Sequence, residues 1–200
     1  MLANIPENEA SRRMIPATAE KEKELIDALR GGKTSAKRAF YEQFHRYLAA
    51  VCARYVNDND DVKDLLQEVF IKIYTRFDSF AYRGTGSLQA WSRRIAVNEA
   101  LQYLRANKRK QEVRLEDFGE MPDPDETPDI SEIPQQALLG MIQRLPERYR
   151  TVFNLYIFEE MSHKDIAALL GIGESSSASN LHRAKALLTK WIHEYLNHER

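Results

Sequence analysis

Residues 145–188, LPERYRTVFNLYIFEEMSHKDIAALLGIGESSSASNLHRAKALL, contain two predicted helices separated by a sharp turn. Ser162 suits the N-cap of the first helix, because its hydroxyl can accept a hydrogen bond from an otherwise unpaired helix N–H. Gly171 is predicted to end that helix, since glycine tolerates a left-handed backbone, and Ile172 then returns to the core. The second helix is expected to begin near Glu174. This order of elements is that of a helix-turn-helix.

The second helix has one apolar face and one polar face. The apolar residues recur at spacings of 3, 4 and 3 residues, which predicts a buried face: Leu181, Ala184, Leu188 and Trp191. Another face carries hydroxyl, amide and guanidinium groups: Ser176, Asn180 and Arg183. Such groups suit phosphates and base edges in the major groove of DNA. An ordinary helical hairpin with a polar exposed face is the alternative that this pattern leaves open.

Composition indicates a globular protein of one large or two small domains, with 200 residues of which 43% are hydrophobic. No apolar run approaches the roughly 18 residues of a membrane helix, and the N-terminus lacks the apolar core of a signal peptide, so we expect a cytoplasmic protein. The single cysteine, Cys52, lies in an apolar helical context and is predicted to be a buried thiol. One cysteine also excludes zinc sites built on cysteine pairs.

The net charge of -1 conceals a segregation of charge along the chain. Residues 83–114 contain eight basic and two acidic residues, whereas residues 115–134 contain eight acidic and no basic ones. Four prolines punctuate residues 111–134, which show no apolar periodicity. The pattern predicts a nucleic-acid-binding segment followed by a flexible acidic linker. Fully extended at ~3.1 Å per residue, the acidic part reaches roughly 60 Å, more than the roughly 34 Å of one DNA turn.

The N-terminal half reads as a loose tail followed by helices. Residues 1–17 form the predicted tail, and helices are expected over residues 20–30, 35–56 and 61–77. The last of these helices has apolar residues on its inner face and polar ones near its outer face: Asp61, Asp64, Gln67 and Glu68. Simple solvation would explain that polar face equally well.

Residues 81–110, AYRGTGSLQAWSRRIAVNEALQYLRANKRK, combine a glycine-rich loop with a basic helix. Ser87 is a plausible cap for this helix. The predicted core stripe consists of Leu88, Trp91, Ile95, Leu101 and Leu104, and a second, polar stripe consists of Arg94, Asn98, Arg105 and Arg109. A solvated surface helix would show the same polar stripe. The small-residue loop 83–87 favours nucleic acid, because an unpaired base needs a pocket that the backbone approaches closely.

Both halves resemble the extracytoplasmic-function (ECF) sigma factors of bacterial RNA polymerase. The region 4 resemblance lies in Leu145-Pro146, Arg148 and Arg150, the Val152, Phe153 and Leu155 run, Ser162, Ile166-Ala167, Leu170-Gly171-Ile172 and Leu181-His182-Arg183-Ala184-Lys185. The region 2 resemblance lies in Asp61, Asp64, Leu65, Gln67, Glu68, Val69 and Phe70, followed by Trp91, Arg94, Ile95, Asn98 and Arg105. The two patterns follow the family's order and spacing over residues 20–191, which makes them more specific than either alone.

The resemblance implies three sets of functional residues. Those expected to dock on the clamp helices of the polymerase beta-prime subunit are Asp61, Asp64, Gln67 and Glu68. Those expected at the -10 promoter element, where loop 83–87 captures a flipped base, are Arg83, Thr85, Ser87, Trp91, Arg94, Asn98 and Arg105. Those expected at the -35 element are Ser176, Ser179, Asn180 and Arg183. The partners implied are core RNA polymerase, including its beta flap, promoter DNA and an anti-sigma factor.

The resulting prediction is an all-α protein of two small helical domains joined by an acidic linker. The domains expected are a tail over 1–17, a region 2-like domain over 18–110, a linker over 111–134 that the resemblance places in the RNA path, and a region 4-like domain over 135–200. The sequence departs from the family at Gln102, Ser92 and Val97. The recognition helix also lacks two usual cations within residues 176–180, so its DNA sequence does not follow from the family.

Three other classes of protein agree less well with this sequence. An enzyme is disfavoured, because the five histidines are scattered and no nucleophile motif, metal-ligand spacing or phosphate-binding glycine loop occurs. We therefore expect no catalytic residues, cofactor, metal or small-molecule substrate. A sigma-like mimic that binds an anti-sigma factor would be expected to carry a receiver domain, for which 200 residues leave no room. A dimeric helix-turn-helix repressor would not explain the clamp-type helix.

Overall fold

The computed structural model describes residues 19–107, 129–131 and 133–198. The described residues fall into two compact units, the first within 19–107 and the second within 129–198. Every regular element in these residues is a helix, as the all-α prediction requires. The predicted tail 1–17 lies outside the described residues, as does most of the predicted linker. The predicted domain boundaries therefore stay a prediction.

Four α-helices and a 3-10 turn form the described part of the first unit. They are α1 (Ala19–Arg30), α2 (Thr34–Ala53), α3 (Asn59–Thr75), the 3-10 turn Phe77–Ser79 and α4 (Ser87–Asn107). Helices α2, α3 and α4 pack against one another, and α1 packs on α2. Their core is aromatic: the Phe40 and Phe44 rings stack with centroids 4.5 Å apart, and Phe70 meets Phe40 edge-on. Burying such rings contributes several kcal/mol, so this cluster is a main source of stability.

Cys52 lies at the centre of the first unit with no exposed surface. Burial raises the pKa of its thiol to about 12. Because the thiolate is the reactive form, this thiol is inert at neutral pH, as the sequence predicted.

The third helix ends two residues earlier than predicted. Asp58 caps its start, accepting the backbone N–H groups of Asp60 and Asp61 at 2.8 and 3.0 Å. Helix α3 stops at Thr75, and Phe77 lies in the 3-10 turn instead. The tighter turn places the Phe77 ring against Phe80 and edge-on to Trp91, with the latter centroids 5.8 Å apart. Tertiary packing of the aromatic rings thus prevails over the helical periodicity.

The described part of the second unit also consists of helices. They are α5 (Gln135–Arg144), α6 (Glu147–Ile157), α7 (His163–Leu170) and α8 (Glu174–His198). The contacts of α8 with α6 and α7 form the main packing of this unit. Helix α5 was not predicted, although Leu138 and Ile142 are buried on one of its faces at a helical spacing.

Arg150 joins α6 to the end of α5. Its side chain is buried, and Nη1 donates to the backbone carbonyls of Gln143 and Leu145 at 2.6 and 3.4 Å. Burial lowers the pKa of this guanidinium. The arginine satisfies carbonyl groups at the helix end that have no partner within α5, which is a structural role.

Candidate nucleic-acid interface

The helix-turn-helix forms as predicted, and short-range contacts fix it. The Ser162 hydroxyl accepts a hydrogen bond from the backbone N–H of Asp165 at 3.1 Å and donates one to the side-chain carboxylate of Asp165 at 2.6 Å. Gly171 adopts the left-handed conformation with φ 68°. The N–H of Ile172 then donates to the carbonyl of Ala167 at 3.1 Å, which closes the turn. These bonds cap the first helix of the motif at both ends.

The two faces of α8 lie as the spacing predicted. The apolar face is buried: Leu181, Ala184, Leu188 and Trp191. Of the four predicted -35 residues, Ser176, Ser179 and Arg183 are exposed, and Asn180 is half-buried. The N-terminal half of α8 therefore presents hydroxyl, amide and guanidinium groups outward, which is the geometry a major-groove helix requires.

Arg183 shares a hydrogen-bond acceptor with a second arginine, Arg148. The Tyr149 hydroxyl of α6 accepts hydrogen bonds from Arg183 at 3.2 Å and from Arg148 at 2.9 Å, and Arg148 also lies over the Tyr149 ring. Burial opposes ionisation of Tyr149, but the hydrogen bonds and charges of the two arginines outweigh it and lower its pKa. The buried phenol thus holds two guanidinium groups close together, a pair suited to a phosphate.

Ser177 and His163 connect the two helices of the motif. Ser177 has no exposed surface, and its hydroxyl lies 3.0 Å from Nδ1 of His163. The His163 ring stacks on Tyr156 of α6, with centroids 4.8 Å apart. The buried Ser177 has a structural role, whereas its exposed neighbour Ser176 is available to a ligand.

Loop 83–87 in the first unit is built on two glycines with left-handed backbones. Gly84 and Gly86 have φ values of 119° and 85°, which residues with a side chain rarely adopt. Arg83 and Thr85 are exposed, and Ser87 is half-buried. The Ser87 hydroxyl accepts the backbone N–H of Arg83 at 3.3 Å, which closes the loop on itself.

The predicted cap at Ser87 is wrong. Helix α4 begins at Ser87 itself, and the carboxylate of Glu22 in α1 caps it instead. One Glu22 oxygen accepts the N–H of Gly86 at 2.8 Å, and the other accepts the N–H of Leu88 at 3.0 Å. A carboxylate satisfies the positive end of a helix better than a hydroxyl does, since it carries a full negative charge.

Glu22 is the functional candidate that the sequence prediction missed. It resembles the solvent-exposed acidic residues around it, Glu20 and Glu24. A signal was nevertheless present, because Glu22 lies four residues before Ile26 and seven before Leu29, and both are buried. A carboxylate on the apolar stripe of an amphipathic helix indicates a buried partner.

The polar stripe of α4 is exposed where the structure describes it. Arg94, Asn98 and Arg105 are exposed, while Arg109 lies outside the described residues. Trp91 is half-buried, and its ring lies 5.8 Å from Phe77 and 5.3 Å from Phe80. Part of this predicted DNA-binding residue therefore packs within the unit, and its remaining surface borders the polar stripe.

Glu99 changes the charge of the α4 surface relative to the sequence count. This carboxylate is buried and forms an ion pair with Lys72 of α3. It therefore does not offset the exposed arginines of α4. The outward face of α4 is more basic than the local composition indicates, which favours contact with phosphates.

The acidic face of α3 divides into two parts. Asp64, Gln67 and Glu68 are exposed and project outward together. Asp61 is half-buried and accepts a hydrogen bond from the Tyr103 hydroxyl of α4. Burial is the main reason that the Tyr103 pKa is raised to about 12, and the hydrogen bond to Asp61 is the second. Ile71, which follows Gln67 and Glu68 by one turn, is 53% exposed. The outer face thus combines polar groups with an uncovered aliphatic side chain.

The described residues contain no group of three or more histidine, cysteine or acidic side chains able to hold a metal ion. No helix among them is long and apolar enough to cross a membrane.

The sequence matches two families of known proteins. Residues 40–110 match the family described as Sigma-70 region 2, and residues 135–188 match Sigma-70, region 4. The RNA polymerase sigma-H factor of Pseudomonas aeruginosa is 29% identical, over 90% of this chain and 97% of that protein. The ECF RNA polymerase sigma-E factor of Escherichia coli is 30% identical, over 80% of this chain and 88% of that protein.

Among solved structures, the match to the sigma factor RpoE bound to the anti-sigma factor NepR from Bartonella quintana has a TM-score of 0.47 at 21% identity. It covers 78% of this chain and 98% of that chain.

Proposed function

This chain belongs to the ECF sigma factors of bacterial RNA polymerase, and we propose that it divides promoter recognition between its two helical units. The first unit docks on core polymerase and holds the melted -10 element, and the second contacts the duplex at the -35 element. This proposal rests on one observation, the outward position of polar side chains in three places. These are the outer face of α3, loop 83–87 together with the polar stripe of α4, and the start of α8.

Docking on core polymerase is assigned to the exposed face of α3. Asp64, Gln67 and Glu68 offer acceptors and an amide to the clamp helices of the beta-prime subunit, and exposed Ile71 adds apolar area beside them. Such a mixture of polar and apolar groups is typical of a protein interface. Asp61 contributes mainly by holding α3 against Tyr103 of α4.

The docking assignment is tested by replacing Gln67 and Glu68 with alanine. Both side chains are exposed, so the stability of the first unit should change by only about 0.5 kcal/mol or less. Affinity for core polymerase should fall, as measured in a titration of labelled protein. The matched control is Glu24→Ala, which removes an exposed carboxylate from α1. Unchanged core affinity would remove this face from the interface.

The -10 element is assigned to loop 83–87 and the polar stripe of α4. Arg83 and Thr85 project from a glycine-rich loop that a base can approach closely, and Ser87 follows at the start of the helix. Arg94, Asn98 and Arg105 continue along α4, where they would hold the phosphates of the open strand. The exposed edge of Trp91 lies between the loop and this stripe, where it could stack on a base.

The -35 element is assigned to the start of α8. Ser176, Ser179 and Asn180 supply short polar groups, and Arg183 supplies a guanidinium that Tyr149 orients. The exposed Arg148, held by the same phenol, is suited to an adjacent phosphate. Two neighbouring arginines would partly replace the cations missing from residues 176–180.

The remaining assignments are proposals that membership of the family supports. Sigma factors act in initiation without catalysis, and we assign this chain no reaction of its own, no cofactor and no small-molecule substrate. The natural regulator is an anti-sigma factor, the second unit also meets the beta flap of the polymerase, and the site of action is the cytoplasm. The acidic segment 115–134 acts as a tether that enters the RNA path.

Transcription with purified core polymerase on genomic fragments tests the whole proposal. Adding the chain should produce discrete run-off transcripts that core polymerase alone does not make. The free chain should bind duplex promoter DNA poorly, because its net charge is -1 and tight binding draws on phosphate neutralisation. Tight, specific binding by the free chain without stimulated transcription would instead indicate a repressor. Binding of an anti-sigma factor without transcription would indicate a mimic.

A further inference from the structure

Helix α1 contacts the segment 80–88 at three separate points. At its C-terminal end, Arg30 donates to the backbone carbonyl of Phe80 at 3.1 Å, before the loop begins. Near its start, the Lys23 ammonium lies 5.4 Å from the centre of the Tyr82 ring. Glu22 accepts two backbone N–H groups at the other end of the loop. One helix thus spans the loop and holds both of its ends.

Among the three α1 residues that make these contacts, Glu22 is buried, whereas Lys23 and Arg30 are exposed. Glu22 is only 1% exposed, and each oxygen of its carboxylate has a separate backbone donor, Gly86 N–H or Leu88 N–H. A carboxylate is buried at a high cost unless hydrogen bonds and a positive potential compensate for it. The N-terminus of α4 supplies both. The burial of this charge is thus linked to one conformation of the backbone at residues 86–88.

The backbone of the loop would otherwise have considerable freedom. Gly84 and Gly86 access more conformations than other residues do, and no atom lies within 4 Å of where a Cβ would stand on either of them. If the loop became ordered only when a base binds, the loss of its conformational entropy would weaken binding. A loop that is ordered beforehand avoids this loss.

We propose that Glu22 is a positioning residue for base capture, through which α1 keeps loop 83–87 in its capture conformation before DNA arrives. This inference rests on the proposed role of the loop at the -10 element. Glu22 itself touches no DNA, because both of its oxygens are buried against backbone N–H groups. Its effect on promoter melting passes entirely through the loop.

The first measurement is amide hydrogen exchange in the free, full-length chain. Glu22→Gln keeps the size of the side chain but removes its charge and turns one acceptor into a donor. Exchange at Gly86 and Leu88 should become about tenfold faster or more, the loss expected for a hydrogen bond to a charged group. Glu24→Gln is the matched control, since Glu24 is exposed on the same helix. Glu22→Asp keeps the charge and should give a smaller change in the same direction.

The second measurement is transcription by the holoenzyme on a closed promoter and on the same promoter with a pre-melted bubble. Glu22→Gln should lose about tenfold more activity on the closed template than on the bubble, since capture assists melting. Combining it with Thr85→Ala and Ser87→Ala should add little further loss. The losses of activity from changes that act through one loop are coupled, whereas the losses from independent changes multiply.

The outcomes separate this inference from the assignment of the loop. Unchanged exchange at Gly86 and Leu88, or an equal change in Glu24→Gln, overturns the positioning role. Faster exchange with an unchanged ratio of closed to open activity overturns it too. If the losses from Glu22→Gln and from Thr85→Ala with Ser87→Ala multiply fully in the triple variant, Glu22 acts only on general stability, which would also overturn the positioning role. The assignment of the loop is judged separately, on whether Thr85→Ala with Ser87→Ala changes the ratio.

Discussion

The two regions proposed to contact DNA are held in place in different ways. The turn between α7 and α8 is fixed by groups close together in sequence: Ser162 with Asp165, and Ile172 with Ala167. Loop 83–87 has one local bond, from the Arg83 N–H to the Ser87 hydroxyl, but Glu22 anchors it through partners that lie 64 and 66 residues further along the chain. Local contacts can be read from a motif, whereas a distant contact such as that of Glu22 leaves only an indirect signal in the sequence. The helix-turn-helix was therefore predicted correctly, and the cap of α4 next to the loop was not.

The two tryptophans allow this difference to be measured in the intact chain. Trp91 lies in the first unit and Trp191 in the second, and the sequence contains no others. Trp191→Phe leaves a fluorescence reporter for the first unit, and Trp91→Phe leaves one for the second. Urea unfolding of these two backgrounds then gives the stability of each unit separately. Each substitution below should shift one transition and leave the other in place.

The largest effect is expected from Glu99→Ala, which breaks a distant contact in the first unit. It leaves the ammonium group of Lys72, whose side chain is 27% exposed, without its ion-pair partner. Removing one partner of a buried pair costs about 3–5 kcal/mol, and the partial exposure of Lys72 places the loss at about 2–3 kcal/mol. The Trp91 transition should move to lower urea. The exposed control Glu68→Ala should leave it within about 0.5 kcal/mol.

An intermediate effect is expected from Gly171→Ala in the helix-turn-helix. Gly171 has φ 68°, and a Cβ there would meet no atom within 4 Å, so the penalty comes from the backbone alone. A left-handed residue other than glycine costs roughly 1–2 kcal/mol. Only the Trp191 transition should shift. Gly140→Ala, within helix α5 and also with open space around it, is the matched control and should stabilise the second unit slightly.

A smaller effect is expected from Ser162→Ala, which removes the cap of α7. The lost bond to the Asp165 N–H costs about 1 kcal/mol, typical of an N-cap serine. The Trp191 transition should again shift alone, and Ser162→Asp should restore most of the loss. If the Trp91 transition moved as well, the two units would not unfold independently, and the comparison between them would fail.

The sequence predicted those features that depend on neighbouring residues. Ser162, Gly171 and the start of α8 at Glu174 follow from capping and turn chemistry, which act over a few residues. The buried face of α8 follows from its apolar spacing, and the family resemblance supplied the matching regions over the rest of the chain.

Other features depend on tertiary contacts and were missed. The 3-10 turn at Phe77 arises from ring packing against Trp91, and the pairing of Glu99 with Lys72 joins two helices. The cap of α4 was assigned to the nearest hydroxyl, Ser87, because Glu22 is distant in sequence. Its place before Ile26 on the buried stripe was the available clue.

In the proposed division of labour, loop 83–87 holds an unpaired base while α8 contacts the duplex upstream. The two tasks respond differently to a template that is already melted. Pulling a base from the stack costs a few kcal/mol, and this cost is absent in a bubble. An arginine bound to a guanine contributes ~1–3 kcal/mol whether or not the downstream strands are open.

The most direct test compares Thr85→Ala with Ser87→Ala against Arg183→Ala, in transcription by holoenzyme on closed and pre-melted templates. The loop variant should recover part of its activity on the bubble, so that its ratio of open to closed activity rises above that of the unaltered chain. Arg183→Ala should lose activity on both templates and keep the ratio of the unaltered chain, since the bubble restores no upstream contact. Equal ratios for the two variants would contradict the division of labour between the units.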